Sequence, residues 1–382
     1  MFLLKYPMQY TSFCLKIICC WPISKNASNL RKNFDFLHFL FVISGFILIS
    51  IQALVYAIIQ ANNPQEIIET LSTQVIYLHA AGKVGIMRLH RHKFSRLLHG
   101  VERVQTTASG ELLRYHKEYT RVGYVAYWIY TISVFIITLD YIVQPLWKKS
   151  QFLPTGAWYP FDYKKSTFFY TLAYFQQIIC ITFSGCASTT EITFGVFIFF
   201  ACARLKVLQR KFQQLSDNSN GNEKILRRRI CNYVQQHCDI LRYINDVNET
   251  YTFIILVLFL SILLTVCCTS FLIINVTEHS LDSIFINSLL MVASAVQLLF
   301  YYLPGHILIE EAKTIAESVY YSGWESLSIN CRKLLLQIMV YSASPINLRN
   351  GKMGLLILEN YTTFLTTAAS YLTSLRSIVG TV

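Results

Sequence analysis

Charged residues are scarce in this chain. They make up 14% of its 382 residues, against about 25% in ordinary soluble domains, while 54% are hydrophobic and the mean hydropathy is +0.42. That shortage excludes a soluble globular domain and points to an all-α, polytopic membrane protein. Acidic residues are scarcer still, 21 against 33 basic ones, for a net charge of +12. The excess does not imply a nucleic-acid partner, because the basic residues sit in blocks between apolar runs, where they set membrane orientation. Catalytic signatures are missing too. There is no HExxH, no GxSxG, no P-loop and no intramembrane His/Asp cluster, so neither enzyme chemistry nor a cofactor is expected. An inverted repeat of broken helices, the mark of many transporters, is absent. A secretory signal is not expected either, since the first apolar run is long and lacks a small-residue cleavage site.

What is present is a series of apolar runs. Seven spans are predicted: Phe36–Ile59, Ile67–Met87, Val122–Val143, a fourth from Thr167 to Ala203, Tyr251–Asn275, Ile284–Leu303, and Met353–Ile378. Before them, Phe13–Trp21, with Cys14, Cys19 and Cys20, is expected to lie in the interface or pack on the bundle. The fourth run exceeds one bilayer thickness at about 1.5 Å per residue. With the amphipathic ARLKVLQRKFQQL after it, it is expected to form one long helix that leaves the membrane. Pro304-Gly305 is expected to end or kink the sixth span, and residues 306–352 to form two helical pieces broken at Ser344-Pro345. The loop Gln144–Lys165, with Trp147, Pro154, Trp158 and Pro160, suggests an aromatic lid at the membrane surface.

Charge then sets the orientation. Lys and Arg number five before the first span, eight after the second, nine after the fourth and five after the sixth; the opposite side holds four after the third and one at the C-terminus. The positive-inside rule places the N-terminus in the cytosol and the C-terminus outside. That is the reverse of a G-protein-coupled receptor and argues against a metabotropic seven-helix chemoreceptor, the rival reading. No cysteine falls in the outer loops, so no disulfide framework is implied. Asn275-Val-Thr would be the lumenal glycosylation sequon, with Asn26 and Asn248 cytosolic. Cys231 and Cys238 flank His237 without zinc-site spacing, and packing is the expected role. Arg227–Arg229 in ILRRRI are either a solvated orientation signal or a contact for anionic lipid heads. Lys83 and Glu191, inside spans, are either a structural ion pair or the lining of a watery vestibule.

The last run, KMGLLILENYTTFLTTAASYLTSLRSI, carries Asn360, Thr363, Thr367, Ser370, Ser374 and Ser377 at alternating steps of three and four. That spacing puts them on one helix face. Such a stripe either bonds back to its own helix and its neighbours or faces water.

From Pro304 onward the chain resembles the insect odorant receptors. PGHILIEEAKTIAESVYYSGWESL, KLLLQIMVYSASPINLRNGKMG and SYLTSLRS carry the resemblance over about residues 304–378. Ser370-Tyr371 followed by Leu375-Arg376-Ser377 leans away from the terminal signature of the related gustatory receptors, the other alternative.

The resemblance implies an odorant-gated, non-selective cation channel in the plasma membrane of a sensory neuron's dendrite. Tuning subunits and a shared co-receptor subunit surround one pore as a tetramer. It further implies a pore lined by the seventh helix, with Ser374 at the gate and Ser377 beyond it, and Thr363, Thr367 and Ser370 on the same face. Many members carry an aliphatic residue where Ser374 stands. The implied organisation is a cytosolic segment 1–35, spans and ligand pocket in 36–203, a cytosolic extension of the fourth helix with its connection in 204–250, spans 251–303, an anchor 304–352 and the pore helix 353–378. A small volatile ligand would bind in the outer half among the second, third, fourth and sixth spans. The candidates there are Gln74, Tyr77, Leu78, Ser133, Ile136, Ile137, Asp140, Tyr170, Tyr174, Gln177, Asn287, Met291 and Ser294. Membrane lipid and permeant cations complete the expected partners.

Overall fold

The computed structural model describes residues 2–23, 27–59, 64–107, 110–147, 153–215, 223–274, 281–343, 346, 348 and 354–379. The described chain is helical: α1 (Phe2–Ile17), α2 (Asn29–Ile59), α3 (Pro64–Leu89), α4 (Arg91–Thr107), α5 (Gly110–Trp147), α6 (Thr167–Ala187), α7 (Thr190–Gln213), α8 (Glu223–Ile274), α9 (Leu281–Tyr320), α10 (Ile329–Ala343) and α11 (Leu358–Val379). Each of the seven apolar runs falls on a long helix: α2, α3, α5, the α6–α7 pair, α8, α9 and α11.

The outer surface explains why these helices need lipid. Phe41, Ile47, Leu54 and Ile58 on α2, Ile129, Phe135 and Leu139 on α5, Phe168 and Phe175 on α6, and Phe253 and Leu264 on α8 are all exposed. Water would not tolerate an apolar belt of that extent, whereas hydrocarbon matches it and the helices satisfy their own backbone groups. Among the described residues, α2, α8 and the Asn287–Tyr320 part of α9 are long and apolar enough to cross a membrane by length and composition alone. The remaining helices carry more polar side chains, many of them turned inward: Lys83, Gln177, Glu191 and Thr193 are buried.

One expectation is corrected and two are refined. The fourth run is not one helix. It breaks at Ser188-Thr189, where the Thr189 hydroxyl donates to the Cys186 carbonyl at 2.8 Å and the Thr190 hydroxyl to Ala187 at 3.0 Å. The Thr189 amide also donates to the Cys186 carbonyl, at 3.2 Å. Hydroxyls competing for backbone carbonyls tighten the turn and interrupt the ladder.

Second, α8 and α9 also exceed one span, while ARLKVLQRKFQ is helical as the second half of α7. α8 has 52 residues and α9 has 40, so they run about 78 and 60 Å at 1.5 Å per residue, roughly twice a hydrocarbon core or more. Residues 223–250, in the connecting part of 204–250, form the first half of α8. Third, of the two roles expected of Pro304, ending the helix is excluded, since it sits inside α9. The first break comes at Gly323, whose φ of 72° opens the short 3-10 turn Trp324–Ser326. The expected break at Ser344-Pro345 lies outside the described residues.

The first apolar segment packs on the bundle. Leu15, Ile18 and Cys20 are fully buried, and α1 packs on α5, α6 and α7. Its end is pinned by guanidinium groups. Arg88 donates to the Cys19 carbonyl at 3.1 Å and Arg91 to the Trp21 carbonyl at 2.6 Å, and both bond Asp35 on α2. Cations at a helix C-terminus meet its unsatisfied carbonyls.

At the far end, Tyr119 on α5, with Lys206 and Gln209 on α7, all reach Glu311 on α9. Arg227 and Arg228 are exposed and Leu226 and Ile230 buried. Arg228 lies about 35 Å along α8 from Tyr251. His237 is buried while Cys231 and Cys238 are exposed, and no metal-holding cluster exists among the described residues.

Candidate functional site

α3, α5, α6, α8 and α9 enclose a cavity of about 140 Å³. Its walls follow helix periodicity: Thr73, Tyr77, Ala80 and Lys83 descend α3, and Leu290, Ser294 and Gln297 descend α9. The ten residue steps from Thr73 to Lys83 give it a length of about 15 Å. Val134, Ile137, Ile181 and Ile262 make the middle apolar. A cavity near 150 Å³ holds a molecule the size of benzene.

The outer end is closed by the loop after α5. Residues Leu153, Thr155, Ala157 and Tyr159 are buried, so the aromatic segment dips into the bundle. Gln177 on α6 holds it there. Its carbonyl accepts from the Thr155 amide at 2.9 Å and its amide donates to the Thr155 carbonyl at 3.1 Å and the Tyr159 hydroxyl at 3.3 Å. The Trp158 amide donates to the Gln52 carbonyl at 2.9 Å. At Gly156 an added Cβ would lie 2.8 Å from both the Thr70 hydroxyl and the Tyr56 ring, so only glycine lets the loop seat this closely. Gln177→Leu removes the clamp while keeping its volume. Ligand washout in patch-clamp recordings is expected to become faster, by about thirtyfold if two of the three buried hydrogen bonds are lost at roughly 1 kcal/mol each.

The deep end is polar. Lys83 pairs with Glu191, and their side chains are 1% and 0% exposed. Gln297 donates to the same Glu191 oxygen at 2.6 Å and the Thr190 hydroxyl to the other at 3.1 Å. The two open readings of Lys83 and Glu191 therefore resolve to an ion pair. Glu191 also borders a second, apolar cavity of about 80 Å³ between α5, α7 and α9, so the pair forms a partition between the two.

Of the residues singled out in the sequence, Tyr77, Ile137 and Ser294 line the main cavity. Gln177 is the loop clamp. Leu78 is 58% exposed and turned outward, while Tyr174 donates its hydroxyl to the Ile142 carbonyl at 2.6 Å and stacks on Tyr170. Ser133 bonds back to Ile129. Gln74, Ile136, Asp140, Asn287 and Met291 are absent from the lining. On α9 the cavity face is Leu290, Ala293, Ser294 and Gln297, about a quarter turn from Asn287 and Met291. Sequence reasoning missed the contribution of α8 (Ser261, Ile262 and Thr265) altogether. Lys83 was visible as a charge within a span, but nothing in the sequence tied it to Gln297. Asn275 lies outside the described residues.

α11 is attached by one edge. Phe364 packs on Phe259 of α8 at 5.2 Å, and the Tyr361 hydroxyl donates to the Ala295 carbonyl of α9 at 3.2 Å. Thr363, Thr367, Ser370 and Ser374 are exposed, and each hydroxyl donates to a carbonyl one turn back at 2.8–2.9 Å. The side chain of Ser377 is outside the described residues. Thr362, Thr366 and Thr373 widen the polar surface. It contrasts with the apolar belts of α2, α5 and α8.

A family model described as "7tm Odorant receptor" matches residues 63–368. Odorant receptor 10 of Aedes albopictus is 28% identical over 246 residues, which are 64% of this chain and 65% of that receptor, just under two thirds of its length. Odorant receptor Or2 of Anopheles gambiae is 22% identical over 314 residues, 80% of this chain and 82% of that one. The fold matches the structure of the insect olfactory receptor OR5 from Machilis hrabei with a TM-score of 0.77 and 15% identity, covering 98% of both chains. It matches the OR5 structure in complex with eugenol with the same TM-score and 16% identity, over 98% of this chain and 97% of that one. An all-helical, multi-pass membrane chain with this match belongs to the insect odorant receptor family.

Proposed function

We propose that this chain is the odorant-binding subunit of a ligand-gated, non-selective cation channel of the plasma membrane. A small volatile ligand occupies the cavity between α3, α5, α6, α8 and α9, and α11 lines a central pore. The observation that carries the pore reading is the exposed hydroxyl face of α11. A hydroxyl stripe flanked by Glu359 and Asn360 gains nothing from hydrocarbon, whereas the same face turned toward water is solvated. A single copy cannot enclose a pore, so several subunits are needed, and a tetramer with a co-receptor subunit fits the family. The charge asymmetry of the connections supports a cytosolic N-terminus and an extracellular C-terminus with Asn275 as the glycosylated position.

The test is a panel of volatiles applied under patch clamp, with and without a co-receptor. An odorant-evoked inward current that needs the co-receptor and ignores G-protein blockade is the expected result. A response without conductance would instead favour a metabotropic receptor. The pore assignment is tested separately by Ser374→Leu. If Ser374 stands at the narrowest ring, adding a leucine from this subunit is expected to lower the evoked current several-fold and alter cation selectivity through a hydrophobic constriction. Unchanged current, block and selectivity would remove α11 from the pore.

A further inference from the structure

We propose that the second cavity, between α5, α7 and α9, is a lipid site. It holds one acyl chain of an anionic phospholipid whose headgroup rests on Lys117 and Arg121. α5 and α9 each pack on α7 more closely than on one another, which leaves a slot with α7 as its floor. Gly195 and Phe199 on the floor are buried, while Tyr124 on α5 and Leu299 and Leu303 on α9 are half-buried at the rims. Beside the rims stand Trp128 and Val292, both exposed and both part of the apolar surface that needs lipid. The slot opens sideways onto hydrocarbon.

Inside, the hydrogen-bonding groups are already engaged. Glu191 receives Lys83 and Gln297 on one oxygen and Thr190 on the other. The Thr120 hydroxyl donates to the His116 carbonyl of its own helix at 2.5 Å. Tyr124 and Tyr127 bring aromatic rings, each packed edge-on against Trp128. A polar ligand would lose its hydration here without compensation, whereas a hydrocarbon chain has none to lose. The volume of about 80 Å³ is roughly half that of a cavity that encloses benzene, small for a free ligand of that size. A chain lying in an open slot needs only part of its width enclosed. The eight residue steps from Val296 to Pro304 give the slot a length of about 12 Å, close to one leaflet's share of a hydrocarbon core of about 30 Å.

The slot ends where its helices turn from apolar to charged. Lys117 and Arg121 precede Tyr124 by seven and three positions and so share its helix face; Arg121 is exposed and Lys117 half-buried. Between Arg114 and Trp128, three basic residues stand against one acidic residue, Glu118. Hydrocarbon gains little by leaving other lipid tails for an apolar helix surface. The two cations therefore select the lipid, and the slot fixes where its chain lies.

The experiment uses the purified full chain in lipid nanodiscs. The probes are phosphatidylserine and phosphatidylcholine, each carrying the same photoactivated diazirine on an acyl chain, with labelled peptides read by mass spectrometry. The exposed face of α2 reports contact with bulk lipid. Phosphatidylserine is expected to label residues 120–128 and 296–304 about tenfold or more above phosphatidylcholine at equal mole fraction, the effect of two cations near the headgroup. Both probes are expected to label α2 alike. Gly195→Leu fills the slot, since a Cβ at Gly195 meets only the Phe199 ring, at 3.9 Å. It is expected to bring labelling of both segments down to the α2 level, and Val296→Phe stands in if that variant does not fold. Lys117→Gln/Arg121→Gln is expected to bring the two probes within about twofold of each other. Equal labelling of the two segments by both probes overturns the proposal. So does labelling no higher than at α2, or labelling untouched by filling the slot. A preference that survives the double charge variant overturns the headgroup assignment.

Discussion

Glu191→Leu is expected to leave little of the protein at the cell surface, and Lys83→Met to do nearly as much harm. Either substitution strands one charge in a site where its partner was 0% or 1% exposed. Breaking a buried pair by removing one partner costs about 3–5 kcal/mol, a large share of the about 5–15 kcal/mol that holds a typical protein folded. Gln297 donates to the same carboxylate, so loss of Glu191 also leaves that amide donor without its acceptor. The double variant Lys83→Met/Glu191→Leu removes both charges and fills the space with apolar atoms. A buried pair replaced by well-packed apolar residues is often neutral or better, so the double variant should recover surface abundance and melting temperature well above either single change. Detergent-solubilised protein, followed by fluorescence-detected size exclusion after heating, reads this directly. Additive damage in the double variant would show that the two residues do not act as a pair.

The same pair marks how far the sequence could be read. The apolar runs and the pattern after Pro304 are local properties, and they survived as helices and as a family. Lys83 and Glu191 were visible as intramembrane charges, but 108 residues separate them and periodicity cannot join them. The break between α6 and α7 was hidden because Ser188, Thr189 and Thr190 look like ordinary polar residues of a membrane helix until their hydroxyls claim carbonyls. Gln177 was legible as a polar group in the outer half of the bundle. Its work as a clamp depended on where residues 153–159 fold back, which no helical pattern encodes. On α9 the span was right and the face was off by a residue or so. A helix turns 100° per residue, so a small error in register moves a side chain from the cavity wall to its flank. The hydroxyl face of α11 was legible because its period is internal to one helix. What that face meets is not encoded in its own period.

Gly305→Ala is expected to reduce odorant-evoked current by about tenfold or more while lowering surface abundance much less. Gly305 follows Pro304 in α9, where the segment leading into α11 presses against the helix. An added Cβ would stand 2.7 Å from the Leu356 Cβ, 2.9 Å from the Leu356 carbonyl oxygen and 3.3 Å from the Leu348 side chain. The first two atoms belong to or hang directly on backbone and cannot rotate aside. That backbone is itself tied, since the Leu356 amide donates to the Leu348 carbonyl at 3.0 Å. Relief therefore requires moving residues 354–357 as a unit, and α11 begins at Leu358. Overpacking of this kind costs about 1–3 kcal/mol, too little to unfold the chain but enough to displace the base of α11. Gly85 in α3 supplies the control. A Cβ there meets nothing within 4 Å, so Gly85→Ala should leave current unchanged and gain up to about 1 kcal/mol of helix propensity. Recording both variants at matched surface density separates steric displacement of α11 from the general effect of replacing a glycine. Equal currents in the two would mean that the contact between α9 and the segment before α11 has no part in gating.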